Sequence, residues 1–452
     1  MRIPGPASRK LAERLSRVES RNVTFLSERF PVFWERAEGS QVWDADGNRY
    51  VDLTAGFGVA AVGHAHPRVV AAIRSQAERL CHGMGDVHPP AVKVRLLERL
   101  ARLSPQEDAR VVLACSGSEA VEVALKTACL FTGKPGCLAF TGAYHGLTYG
   151  ALSVTDRAHF RAPFERQLNP HVARAPYPHP LRRPERLAAR LAGAGGPAEL
   201  LNAALEEVEA VLDAEVGRRV GAVIVEPIQG RGGEVVPPPG WLAALADLCR
   251  ERGLLLIADE IFTGFGRTGT RFACEAEGVV PDLLCVGKAL SSSMPLSACI
   301  GRGEVMEAWP RSTGEAMHTS TFLGHPLGCA AALASTTVIE EERLAVRARE
   351  EGGRWLEALR LLGDRHECIG DVRGRGLMIG VELVEDRSSL RPAPRLAGRA
   401  VLGALGRGWI LLGGAPEGNV LSLSPPLNVD RKLLDRAVAM LDEVLAEAAG
   451  GA

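Results

Sequence analysis

The sequence carries almost no net charge, no long hydrophobic run, no closely paired cysteines and very few lysines, and each shortage narrows what the chain can be. With 53 basic and 54 acidic side chains the formal net charge is -1, which gives neither a field for nucleic acid nor a polybasic membrane patch. The expected partners are small molecules and further copies of the chain. The first twenty residues, MRIPGPASRKLAERLSRVES, are charged and amphipathic without a continuous apolar segment. They are expected to be neither a signal peptide nor a membrane span, and the expected compartment is the cytoplasm. Ten cysteines are scattered without a C-x-x-C pair, which argues against a disulfide framework and a zinc knuckle, and no metal is expected. Cys81, Cys115 and Cys299 read as packed thiols.

Lysine is the most telling shortage. Only Lys10, Lys93, Lys126, Lys134, Lys288 and Lys432 occur, so 47 of the 53 basic residues are arginine. A guanidinium stays protonated and delocalised and cannot form an imine, so a lysine in apolar surroundings stands out. Lys288, in DLLCVGKALSSSMPLSACI, is that lysine.

What is present reads as a soluble α/β protein. At 452 residues the chain exceeds one ordinary core and calls for more than one domain. Residues 32–54 alternate apolar and polar around Asp46-Gly47, a turn dipeptide, and predict a small antiparallel ribbon. Between residues 65 and 325, apolar runs such as GAVIVE (221–226), LLLIAD (254–259) and LLCVG (283–287) alternate with helical stretches. Runs of this kind suit strands buried on both faces of a mainly parallel sheet with crossover helices. Residues 181–217 read as a surface helical excursion with a loop at GAGG, residues 193–196. From 326 a helical run, a strand-like LMIGVELV (377–384) and a final helix follow. The expected division is a large domain over 65–325 and a small α+β domain built from 1–64 and 326–452.

Ligands of open α/β sheets gather at the carboxyl ends of the strands, and three groups are expected there. In CSGSEAVEVALK, Ser116, Gly117 and Ser118 stand between a strand and a helix start, where free N–H groups and the positive helix end suit a phosphate. Asp259 and Glu260 leave an apolar run directly, and a carboxylate there needs a cation or donors. Lys288 ends the next strand, where desolvation favours the neutral amine. Taken singly, Ser116 is equally an ordinary N-cap, Asp259 half of an ion pair and Lys288 a snorkelling lysine. Their succession on successive strand ends favours one joint site. GFGRTG fits the dinucleotide pattern G-x-G-x-x-G but lacks the required strand–turn–helix context.

The segments VWDADGNRYVDLTAGFGVAAVGHAHPRV, GSEAVEVALK, FTGAYHG, VIVEPIQGRGG, LIADEIFTGFGRTG, PDLLCVGKAL, STFLGHPLGCAAALA and DVRGRGLMIGVEL together resemble class III aminotransferases, the group of 4-aminobutyrate, ornithine and ω-amine transaminases, over residues 30 to 445. The resemblance implies a fold type I pyridoxal-phosphate enzyme with a seven-stranded-type sheet, acting as a homodimer with a shared active site. It implies that Lys288 carries the cofactor as a Schiff base and later acts as general base and acid. Asp259 would hold the pyridine nitrogen, Tyr144 stack on the ring and His145 lie beside it. Ser116, Gly117 and Ser118 would bind the phosphate, with Thr321 reaching the phosphate of the neighbouring subunit. Glu226 and Gln229 would flank the ring and the substrate channel.

Where 4-aminobutyrate transaminases carry two carboxylate-gripping arginines, this chain has Leu147 and Ser422, and Phe57, Asp86 and His88 are further candidates for the substrate pocket. The expected reaction is transfer of an amino group from a primary amine or amino acid to a 2-oxo acid or aldehyde. An amino-acid racemase or epimerase of the same family, or a catalytically retired paralogue, are the alternatives. Without the two arginines, 4-aminobutyrate is expected to be a poorer donor than an uncharged amine of similar length.

Overall fold

The computed structural model of the chain describes residues 3–183, 185–190, 196–214 and 217–450. Its centre is a seven-stranded sheet whose strands run, edge to edge, Ala109–Ala114, Ser297–Arg302, Leu283–Val286, Leu255–Asp259, Val220–Val225, Gly136–Phe140 and Val172–Ala175. The last five in that order pair in parallel. Ser297–Arg302 is antiparallel to both its neighbours. The apolar runs lie in this sheet, which is buried on both faces: Ala222, Ile224, Ile257, Cys285 and Cys299 pack under the helix Gly117–Thr132, while Val223, Val225, Leu256, Leu284 and Ile300 join the main core on the opposite face. Consecutive side chains of a strand alternate in direction, so a run with no polar break fills two cores.

The N-terminal ribbon consists of Trp34–Glu38, Gln41–Asp44 and Arg49–Asp52, antiparallel and turning at Gly47 with φ 80°. Its fourth strand is Trp409–Ile410, which runs parallel to Arg49–Asp52. The two ends of the chain thus meet in one sheet. A third sheet joins Ile369–Arg375, Met378–Leu383, Val420–Leu423 and Leu412–Gly414, and the helix Arg431–Gly450 buries Leu434, Leu441 and Leu445.

Two expectations change. The helix Pro197–Asp213 is not a surface excursion, because it buries Leu200, Ala203, Ala204, Val208 and Leu212 in the main core; the loop expected at 193–196 lies, apart from Gly196, outside the described residues. Of the three cysteines read as packed, Cys299 is buried and Cys115 half-buried, whereas Cys81 is exposed and donates only to the Ala77 carbonyl.

Candidate active site

A cavity of about 550 Å³ opens at the carboxyl ends of the parallel strands, and its wall includes Ser116, Gly117, Ser118, Tyr144, His145, Leu147, Glu226, Arg231, Asp259 and Lys288. These residues come from five segments that the sheet brings to one edge.

Ser116 caps the helix Gly117–Thr132, its hydroxyl accepting from Glu119 N at 3.3 Å while the Glu119 carboxylate accepts from Cys115 N at 2.7 Å. Ser118 Oγ accepts from Leu147 N at 2.9 Å and from Thr148 N at 3.1 Å. Thr148 Oγ1 donates to Glu122 Oε1 at 2.6 Å and lies 3.2 Å from Ser118 Oγ, so the Ser118 hydroxyl is fixed at the cavity wall by the 147–148 segment. The approach demands glycine at Gly146, since a Cβ there would stand 2.0 Å from Ser118 Oγ.

Asp259, the last residue of its strand, is buried; its Oδ2 accepts from His145 Nδ1 at 2.7 Å and its Oδ1 from Ile261 N at 3.1 Å. His145 Nε2 is buried without a hydrogen-bond partner among the described residues. Glu226 follows the strand Val220–Val225 and accepts from Tyr144 N and from Gly230 N, each at 2.9 Å. Burial holds its carboxyl above the usual range.

Lys288 has φ 43°, a conformation few non-glycine residues adopt and one that costs on the order of 1–3 kcal/mol. Its amine forms no ion pair and no hydrogen bond among the described residues and lies 4.4 Å from the centre of the Phe262 ring. Burial lowers its pKa to about 8; the Asp259 and Glu226 carboxylates oppose that shift and the Arg231 and Arg267 guanidiniums add to it. An amine with such a pKa is about one-fifth neutral near physiological pH, far more than an ordinary lysine, and that fraction can attack a carbonyl carbon.

Other expected residues lie elsewhere. Gln229 turns away, donating to the Thr141 carbonyl at 2.8 Å and lining a separate cavity of about 210 Å³ with Arg373 and Glu382. Ser422 donates to Glu234 and does not line the main cavity. Phe57, Asp86, His88 and Thr321 are exposed and outside its wall, and Asp86 accepts from Thr319 Oγ1 at 2.8 Å. Leu147 is in the wall and half exposed. Arg231 was not singled out by sequence, although it falls inside the quoted VIVEPIQGRGG; nothing local distinguishes it from the other arginines.

The fold is shared with solved enzymes. An amine transaminase from an uncultivated Pseudomonas species, solved in its pyridoxal-phosphate-bound form, superposes with a TM-score of 0.87 at 32% identity, covering 95% of this chain and 99% of that one. The fold is thus that of pyridoxal-phosphate-dependent transaminases. The profile of the family "Aminotransferase class-III" matches residues 25–445, and the chain belongs to that family. A 4-aminobutyrate aminotransferase of Mycobacterium leprae is 39% identical over 98% of this chain and 97% of its own length. An alanine/serine racemase of Pyrococcus horikoshii is 38% identical over 99% and 92% respectively.

Proposed function

We propose that the chain transfers an amino group from a primary amine or amino acid to a 2-oxo acid or aldehyde, with pyridoxal 5'-phosphate bound in the cavity. The observation that carries this reading is the unpartnered, desolvated amine of Lys288, set in one cavity with the Asp259–His145 pair and the start of the helix Gly117–Thr132.

The residues fit the cofactor by their free valences. The backbone N–H groups of Gly117 and Ser118 at the helix start, with the Ser118 hydroxyl beside them, suit a phosphate dianion. The buried Asp259, each oxygen of which keeps a lone pair beyond its bond to His145 or Ile261, suits a pyridinium nitrogen, and Tyr144 offers an aromatic face to a flat ring. When bound, pyridoxal phosphate supplies an aldehyde for the incoming amine and a ring that withdraws electrons from the substrate carbon. Lys288 would hold the aldehyde carbon and, once displaced, would take a proton from the substrate carbon as base and deliver it as acid to the cofactor's former aldehyde carbon. Asp259, oriented by His145, keeps negative charge fixed beside the ring, the preorganised electrostatic contribution that usually dominates catalysis. Glu226, held by two backbone donors, needs no arginine partner to stay in place.

The working unit in this reading is a homodimer in which Thr321 of one subunit reaches the phosphate of the other. Its support is the exposed apolar surface of Met84, Val87 and Phe322 beside that threonine. The cytoplasm is the compartment, supported by the ten cysteines, all free; among the described residues no helix is long and apolar enough to cross a membrane.

The 38% identical racemase favours a second reading, in which the proton returns to the opposite face of the substrate carbon. One experiment separates them. Purified holoenzyme is given L-alanine in heavy water with and without 2-oxoglutarate. Beyond one equivalent of pyruvate per site, pyruvate and glutamate formed in equal amounts, only with the acceptor, are expected; deuterated, racemised alanine without acceptor and no glutamate with it would establish the racemase instead.

A further inference from the structure

Among the described residues, Arg231 is the one guanidinium in the wall of the active-site cavity. It is exposed, while its neighbours Gln229, Gly230, Gly232, Gly233, Glu234 and Val235 are all buried. The turn that carries it is closed by reciprocal Gln229–Val235 backbone bonds of 3.1 and 3.0 Å and by Gly233 N donating to Gly230 O at 2.9 Å. Beneath the turn, Arg373 Nε donates to Gly233 O at 2.8 Å, Gln229 Nε2 donates to Thr141 O at 2.8 Å and Ser422 donates to Glu234. Glu234 has φ 50°, a strained conformation of the kind that persists only where the surroundings enforce it. A rigid, buried platform therefore presents a single cationic side chain.

The guanidinium carbon lies 4.9 Å from the centre of the Tyr144 ring and 5.8 Å from that of Phe160, and Arg157 covers Phe160 from 5.2 Å. Neither arginine forms an ion pair among the described residues. Burial first, and then the Arg231 charge, pull the Arg157 pKa below its ordinary value, with Glu417 and Tyr144 opposing. Two like charges have thus been brought near each other at the cavity without an ion-pair partner for either among the described residues, Glu417 offsetting only part of the Arg157 charge from a distance. Stacking on an aromatic face leaves the N–H fork at the guanidinium edge free, and that fork matches a carboxylate in two parallel hydrogen bonds.

We propose that Arg231, stacked on Tyr144 and reinforced by Arg157, binds the carboxylate of the substrate, so that the enzyme acts on amino acids and oxo acids in preference to uncharged amines. The proposal rests on the amino-transfer reading above. It reverses the expectation drawn from Leu147 and Ser422: the missing anion clamp is supplied from a position where sequence comparison does not look for one, and Ser422 is engaged in holding the platform through Glu234.

The test pairs binding with turnover in the holoenzyme. Pentanoate and pentan-1-ol serve as unreactive probes in calorimetry; alanine and 4-aminobutyrate are compared as donors with ethylamine and butylamine. Arg231→Gln is expected to weaken pentanoate about tenfold to hundredfold, the range for hydrogen bonds to a charged group, and to leave pentan-1-ol unchanged. The kcat/KM of at least one amino acid should fall in the same range while its uncharged counterpart changes less than about threefold. Arg231→Lys, which restores charge without the fork, should recover part of the loss, and Arg157→Gln should weaken pentanoate by a smaller factor. Undiminished pentanoate binding in Arg231→Gln, or equal losses for charged and uncharged donors, would overturn the clamp. Should the wild type turn over no donor while pentanoate binding still depends on Arg231, the clamp stands and the amino-transfer reading falls.

Discussion

Asp259 and Glu260 are consecutive acids at the end of the same strand, and they live in two different regions of the molecule. Asp259 faces the cavity, holding His145 with one oxygen and Ile261 N with the other. Glu260 faces the packed side, where it accepts from Thr263 Oγ1 at 2.8 Å, Ala273 N at 2.7 Å and Cys274 N at 2.8 Å and is wholly buried. Arg267, a few residues on in GFGRTG, shares the second region; it is buried and donates to the carbonyls of Leu377 at 3.0 Å and Pro425 at 2.6 Å. The acid on the packed side has its bonding completed within the protein and fixes the chain, whereas the one in the cavity retains capacity for something else. Strand alternation decides which acid does which, and adjacency in sequence says nothing about it.

The largest effect should come from the cavity. Lys288→Ala is expected to abolish the visible absorbance of bound cofactor together with turnover, with Tm within a few degrees of wild type, as read by spectroscopy and calorimetry. Lys126→Ala is the control: that amine lies 3.1 Å from His318 Nδ1, outside the cavity wall, and loss of cofactor there would break the assignment. The two acids give a crossed pair of outcomes. Asp259→Ala should cost about 3 kcal/mol in the transition state, roughly a hundredfold in kcat, and, with two stranded donors against three, less stability than Glu260→Ala. Glu260→Ala strands three buried donors at about 1–3 kcal/mol each, so Tm should fall by several degrees while kcat per folded molecule stays near wild type. A Glu260 variant that keeps its Tm and loses kcat would erase the distinction between the regions. The smallest effect is on pH. Only the neutral amine attacks an aldehyde, so capture of pyridoxal phosphate by the cofactor-free protein should rise with pH through about 8 and level off above it. The Asp259 carboxylate favours the protonated amine, so Asp259→Asn should move that midpoint down, whereas Glu260→Gln should leave it where it is.

The parts of this site that could be read from sequence are those whose meaning is local. Lys288 stood out because lysines are scarce and because an apolar strand leads into it. Ser116–Ser118 did so because a strand, a capping serine and a helix are contiguous. The family resemblance, spread over ordered motifs, located the cavity as a whole. What escaped depends on pairings across the fold. His145 meets Asp259 only because strands distant in sequence lie near each other in the sheet. Ser422 turns to Glu234 because Val420–Leu423 pairs with Met378–Leu383 in a register that aims it there. Arg231 acquires its meaning from a buried turn and two aromatic rings, one of them Phe160, and composition rich in arginine hid it. The helix Pro197–Asp213 was misjudged because alanine-rich turns pack as readily as they solvate.

The strand order described for the central sheet also acts as a ruler. Neighbouring strands stand about 4.8 Å apart, and from the strand ending before Ser116 it is two such steps to the one before Lys288, a third to Asp259 and a fourth to Glu226. The antiparallel strand Ser297–Arg302 is the spacer that makes the first interval double. Hydroxyl, amine, acid and second acid are thereby graduated along one edge at intervals set by backbone hydrogen bonds, not by side chains. Substitutions can change what each mark reads, but moving a mark would require rebuilding the sheet.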